Sequence, residues 1–287
     1  MAASAPQPPL YDEMFVRLER ARWRLADLPL DAVRAQDLDR HTLAFLRANC
    51  LMELSSLYAE RMFLRDFRGW PDFCQFTSIW YYEEMKHYLV LRAYLEACGC
   101  PPDPADYPRL DLELDPGPWA PTLALHWVGE LRLGMWYRRW AEQAPEPVLR
   151  QIFTLISADE FRHAGCYQQF MQRALAEEPG LLREFLQAAK FMLVNPAGDK
   201  HPTTLRTGAG GATAVTDLIP DYEAFRVQVQ RTIAGGDEQR LQQRVLQTLG
   251  RLAGEPLASM LELAALCRRL ETGGGSGAAT GGRQLRR

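Results

Sequence analysis

The chain has 287 residues, 47% of them hydrophobic and 24% charged, with a formal net charge of −3. This is the composition of an ordinary globular protein with enough apolar side chain for a sizeable core. It offers no basic face for nucleic acid, no apolar run of the roughly 18 residues a membrane span requires and no signal-peptide start, so residence in the cytoplasm is the expectation. The six cysteines are few and irregularly spaced. Cys98 and Cys100 form a C-x-C with no second pair to complete a zinc site, so free thiols are expected throughout.

Helical periodicity runs through the whole chain. A short amphipathic helix is expected over 10–25. Four long segments follow at 38–67, 72–98, 118–143 and 146–175, and further helices at 178–194, 221–233 and 237–271. The links RGWPD and AEQAPEP are so short that each joins antiparallel neighbours. Between the second and third long helices lies GCPPDPADYPRLDLELDPGPWAP, whose prolines forbid a helix. Extended, it reaches about 60 Å, more than the roughly 38 Å of a 25-residue helix, so it can return along the whole bundle. Two antiparallel hairpins joined by one long crossover make the ferritin-like four-helix arrangement. The fold expected is all-α: one domain over 1–271, a core bundle over 38–175, and flanking helices at 10–25 and 178–271. Residues 195–219 read as a long irregular loop, and the Gly-rich stretch 272–287 as a disordered tail.

Two of the long helices carry Glu-x-x-His: Glu84 with His87 in SIWYYEEMKHYLVLR, and Glu160 with His163 in SADEFRHAG. The other two supply single glutamates in apolar surroundings, Glu53 in NCLMELSSLY and Glu130 in HWVGELRLGMW, where a lone carboxylate would be costly to bury. Glu53 and Glu84 are 31 residues apart, Glu130 and Glu160 are 30, so the hairpins repeat one design. At 1.5 Å per residue all four carboxylates lie roughly 20 Å from the same end of the bundle. Positions i and i+3 share a helix face, so four carboxylates and two imidazoles converge at one depth. That donor set suits two iron ions, or iron with manganese in place of one, better than zinc or copper.

Around these ligands, Asp159 is a candidate to orient a ligand histidine. His126, one turn before Glu130, is read as a hydrogen-bonded pocket histidine beside the site, with an additional ligand or a proton donor as the alternatives. Glu60, two turns after Glu53, is read as half of a surface ion pair, with cavity lining as the alternative. Trp80, Leu133, Tyr137, Ile156 and Tyr167 fall on inward faces and are candidates to line an apolar substrate cavity. Arg65, Arg68, Lys86, Arg132, Arg138 and Arg139 are candidates for a patch that docks an acidic carrier.

TLISADEFRHAGCYQQF resembles the second metal motif of the soluble acyl-carrier-protein desaturases, and SIWYYEEMKHYLVLRAYLEACG resembles their first. The likeness spans about 38–194 and preserves the order and spacing of all six ligands. It implies a di-iron carboxylate enzyme that binds dioxygen, takes electrons from a ferredoxin-type donor and removes two hydrogens from an acyl chain on a carrier protein or coenzyme A. By the same resemblance Glu53, Glu84, His87, Glu130, Glu160 and His163 are the ligands. Asp159, and Trp23 in ARWRLADLP, match residues on the family's electron route. Leu133 stands where plant-type members carry a threonine, and Ile156 where the related N-oxygenases carry a further histidine. The alternatives are a di-iron hydroxylase or oxygenase of a small or carrier-bound substrate, and a non-enzymatic iron- or peroxide-handling protein. No nucleic acid or membrane partner is expected, and a homodimer is compatible with the reading.

Overall fold

The computed structural model describes residues 9–106, 113–194, 219–233 and 235–273. Helix α1 (Leu10–Ala21) leads into three short 3₁₀ turns between Leu25 and Asp37. The central helices are α2 (Arg40–Leu54), α3 (Ser56–Asp66), α4 (Pro71–Ala97), α5 (Trp119–Gln143) and α6 (Pro147–Glu177). Around them lie α7 (Leu182–Leu193), α8 (Tyr222–Thr232), α9 (Gly235–Ala253) and α10 (Met260–Gly273). The described chain is all-helical, and none of its helices is long and apolar enough to cross a membrane.

The helix ends follow from local chemistry. Asp39 caps α2 by accepting the Thr42 amide at 2.7 Å, which holds its carboxyl below the usual range. Pro71 and Pro147 open α4 and α6, where a missing N–H costs nothing. Glu146 caps α6 through the Leu149 amide (2.7 Å) and also accepts the Tyr94 hydroxyl (2.9 Å), tying α4 to the start of α6. Gly99, at φ 72°, ends α4 in a Schellman motif: the Cys100 amide bonds Leu95 O and the Gly99 amide bonds Glu96 O.

Three expected helices end or break differently. The first stops at Ala21 rather than 25. The segment expected as one helix over 38–67 is interrupted at Ser55, whose hydroxyl bonds back to Met52 O at 2.5 Å. Such a bond bends a helix, and it does so two residues after Glu53. The segment expected over 237–271 is divided at Gly254 (φ 72°), where the Glu255 amide caps Gly250 O and Pro256 bars continuation. Most of the loop expected at 195–219, most of the tail expected at 272–287, and part of the crossover lie outside the described residues.

Helix α5 packs along α6, and α4 lies against both α2 and α3. Helix α4 also meets α6, α1 crosses α4 and α6, α7 covers α5, and α8 covers α2. Where α5 meets α6, a Cβ added at Gly134 would stand 3.0 Å from the Phe161 ring. Arg65 anchors the far end of the crossover through Leu114 O (2.6 Å) and Asp115 O (3.0 Å).

Two aromatic clusters fill the interior. One joins Phe63, Phe67, Phe73, Phe76 and Phe170, with Phe67 stacked on Phe73 at 4.1 Å. The other joins Phe45, Tyr137, Trp140, Phe153 and Phe225. In sequence the four glutamates Glu53, Glu84, Glu130 and Glu160 lie between these clusters, and a polar layer separates them in the fold.

Candidate metal centre

That layer gathers all six expected ligands. Ligand atoms of Glu53, Glu84, His87 and Glu160 lie within 4.8 Å of one another, and so do those of Glu84, Glu130, Glu160 and His163. Glu84 and Glu160 belong to both sets. Each set therefore has one glutamate and one histidine of its own and shares two carboxylates with the other. All six residues are buried.

The histidines are aimed by groups behind them. His87 Nε2 is 3.0 Å from Asp159 Oδ2, while its Nδ1 faces Glu53 and Glu160 at 3.5 Å each. His163 Nε2 is 2.9 Å from Glu83 Oε2, while its Nδ1 faces Glu84 at 3.2 Å and Glu130 and Glu160 at 3.5 Å. A carboxylate on Nε2 places the proton there and turns the Nδ1 lone pair towards the centre, as is usual for metal-binding histidines. Asp159 serves the histidine of the other motif helix, not of its own. Glu83, fully buried, does the same in the opposite direction. Glu83 was not singled out from the sequence. The available signal was the acid immediately preceding each ligand glutamate, in EEMKH and DEFRH.

Both orienting acids are held by cations and by the N-terminal segment. Trp23 Nε1 donates to Asp159 Oδ2 at 2.7 Å, and Lys86, whose ammonium lies over the Trp23 ring at 4.3 Å, stands 3.8 Å from the same oxygen. Arg162 also pairs with Asp159. Arg22 Nε faces Glu83 Oε1 at 3.7 Å. Burial would raise the Glu83 carboxyl, but His163, Lys86 and Arg162 outweigh it and hold it down at about 2.

Two residues read as cavity lining direct their polar atoms at ligands. Tyr137 donates to Glu53 Oε1 and accepts from Asn49 Nδ2 at 2.9 Å. Trp80 Nε1 donates to Glu130 Oε1 at 2.9 Å. Tyr167 and Ile156 are fully buried, and Leu133 is half-buried against the core. His126 is packed between Phe63 (4.6 Å) and Tyr167 (6.0 Å), one turn from Glu130. The surface ion pair expected of Glu60 is not formed: its carboxyl is buried, takes a hydrogen bond from Thr77, and pairs with no cation among the described residues. The supposed docking patch is also divided, because Arg65, Lys86 and Arg132 are engaged internally while Arg68 and Arg138 are exposed.

The donor atoms fit a pair of divalent ions. His87 Nδ1, His163 Nδ1, Glu84 Oε1, Glu130 Oε2 and both Glu160 oxygens are buried and make no hydrogen bond. Unsatisfied buried polar atoms are costly, and a cation on each side of Glu84 and Glu160 would satisfy this whole set. Four carboxylates would balance two such ions in charge. Without them the cluster holds protons: burial and neighbouring carboxylates push Glu84 up to about 7 and Glu160 well above its ordinary range. Burial works against a charge on His163, yet the four surrounding glutamates raise it well above its usual value. All six cysteines are free thiols, and none belongs to the centre. No protein-family model matches the chain, and no curated protein matches it at a significant level.

Proposed function

We propose that the protein is a di-iron, oxygen-dependent oxidoreductase on a ferritin-like bundle, which desaturates an acyl chain carried by a carrier protein or coenzyme A. One observation carries the reading: two overlapping sets of three carboxylates and one histidine, sharing Glu84 and Glu160. Oxygen donors with a single nitrogen per ion favour iron or manganese. Bound there, two iron ions would supply the reduction of dioxygen and the oxidation of a substrate C–H bond.

The chain's own residues do the remaining work. Glu53 and His87 would hold one ion, Glu130 and His163 the other, with Glu84 and Glu160 between them. Tyr137 and Trp80 fix the two unshared glutamates, while Asp159 and Glu83 fix the two histidines. The aromatic clusters on either side exclude water. Trp23, Asp159 and His87 form a continuous hydrogen-bonded line from the N-terminal segment to the centre, which suits electron delivery from a ferredoxin-type donor. The acidic-carrier part of the reading leans on a surface depression where Arg138 and Arg244 lie over Phe161 at 5.3 and 4.9 Å; Arg139 and Arg240 beside them are already paired with Asp237.

The test is to incubate iron-loaded protein with a reducing system, dioxygen and a panel of acyl carriers, and to weigh the products. Loss of two hydrogens is expected. Gain of an oxygen atom would make the protein a hydroxylase, with Leu133 the first residue to exchange. Iron oxidation without change in any carrier would place it among iron- or peroxide-handling proteins.

A further inference from the structure

Among the other buried oxygens without a hydrogen bond are Glu60 Oε2 and the Tyr167 hydroxyl, both towards one end of the bundle from the metal layer. Glu60 takes a 3.2 Å hydrogen bond from Thr77 on its other oxygen. The groups facing it are Thr77, Cys74 and Tyr81 on α4 and Tyr167 on α6, with no cation among them. Burial pushes its carboxyl up to about 7, where it can both take and give a proton near neutrality.

The register puts these groups in sequence. Thr77 precedes Glu84 by seven residues, about 10 Å along the axis, while Tyr167 follows His163 and His126 precedes Glu130 by four each, about 6 Å. Neighbouring helices run in opposite directions, so all three displacements point the same way. Ring contacts agree. Tyr167 meets Phe63, one turn after Glu60, at 6.2 Å; it meets Phe76, beside Thr77, at 5.5 Å; and it stacks on His126 at 6.0 Å. Glu60 is thus outermost, Tyr167 intermediate and the ligands innermost. On the solvent side Glu60 is flanked on its own helix by exposed Leu57, Arg61 and Leu64.

We propose that Glu60 is the proton gate of the metal centre. The inference rests on the metal-binding reading of the site. A divalent ion displaces the protons its ligands carry, and from a buried layer those protons need a way out. Glu60 Oε2, at the outer end of this file of groups, would take them up and pass them to bulk water; the Tyr167 hydroxyl stands between it and the ligands and makes no hydrogen bond to either. In the proposed oxidation the direction reverses. Dioxygen, two electrons from the donor, two protons through Glu60 and two hydrogen atoms from the substrate give two waters.

Rapid mixing of metal-free protein with cobalt(II), following metal absorbance and a pH indicator together, tests this. Proton release in Glu60→Gln is expected to slow by about tenfold or more at unchanged equilibrium metal content, with Glu60→Asp recovering most of the rate. Release from Glu60→Gln as fast as from wild type would overturn the proposal. Infrared titration of the metal-free protein tests it independently of any metal. The wild-type-minus-Glu60→Gln difference spectrum is expected to hold a protonated-carboxyl band that disappears near pH 7, in addition to the signal of Glu84 that both proteins share. Its absence from that difference would overturn the gate even if metal binds normally. Failure of the wild type to bind cobalt, with the band present, would instead count against the metal reading alone.

Discussion

The two halves of the centre use the same parts in different mountings. In the Glu53–His87 half, the unshared glutamate is held by a tyrosine from α5, and the histidine by Asp159, itself hydrogen-bonded to Trp23. In the Glu130–His163 half, the glutamate is held by a tryptophan from α4, and the histidine by Glu83, which faces Arg22. Helix α5 runs unbroken through Glu130, whereas the chain bends at Ser55 just after Glu53. Each half is therefore braced largely from helices of the other. Such reciprocal bracing makes the two positions one cooperative structure, yet the supports differ enough to be separated by mutation.

The shared carboxylates give the largest effect. Glu160→Ala is expected to remove both ions, taking bound metal from about two per chain to near none by elemental analysis. Retention of one ion at full occupancy would show that the halves do not depend on a common bridge. Exchanging the orienting acids comes next. Asp159→Asn and Glu83→Gln should each weaken metal binding by about 10- to 100-fold, the first at the His87 position and the second at the His163 position. Equal losses at both positions in a site-resolved titration would mean that each acid supports both halves alike.

The pH dependence treats both halves together. The Glu84 carboxyl is raised in the folded, metal-free protein to about 7, chiefly by burial, from an ordinary value of 4.5. The folded chain thus holds that proton more tightly than the unfolded chain. Its contribution to stability is present below pH 4.5 and is lost as pH rises towards 7. Metal affinity should rise over the same window, because the competing proton leaves. Melting curves with and without metal should therefore diverge as pH increases, and parallel curves would contradict the assignment of Glu84 as a ligand.

The smallest effects compare the scaffolds. Gly134→Ala forces a Cβ against Phe161 where α5 and α6 meet and should cost about 1–3 kcal/mol in denaturant unfolding. Ser55→Ala removes only the hydroxyl that bends the α2–α3 segment and should stay within about 1 kcal/mol. A reversal of that order would mean that the bend, not the close packing, is the more finely set feature.

Much of this centre was legible in the chain. Equal spacings of 31 and 30 residues, two Glu-x-x-His motifs and two glutamates in apolar surroundings pointed to six residues that the fold brings together. Asp159 was also legible as an orienting acid, though not which histidine it serves. Glu83 occupies the equivalent place without declaring itself, because an acid beside a ligand reads as a solvated helix residue until the neighbouring helix is known. The Gly254–Glu255–Pro256 stop is written in the sequence. The interruption at Ser55 was not written there, since the apolar pattern runs through it and a serine hydroxyl bends a helix only in one rotamer.

Spacing along a helix is set by backbone geometry, so the sequence by itself determined which residues share a face, the depth of the carboxylate layer and the helical character of the chain. Contacts between helices depend on rotation and tilt, which arise from packing the whole core. Only the tertiary structure could decide that Asp159 crosses to His87 and Glu83 to His163, that Tyr137 and Trp80 reach for ligands, and that Glu60 turns inward to Thr77. A polar side chain declares its type in the sequence, but its partner is whatever the folded neighbours bring within hydrogen-bonding distance.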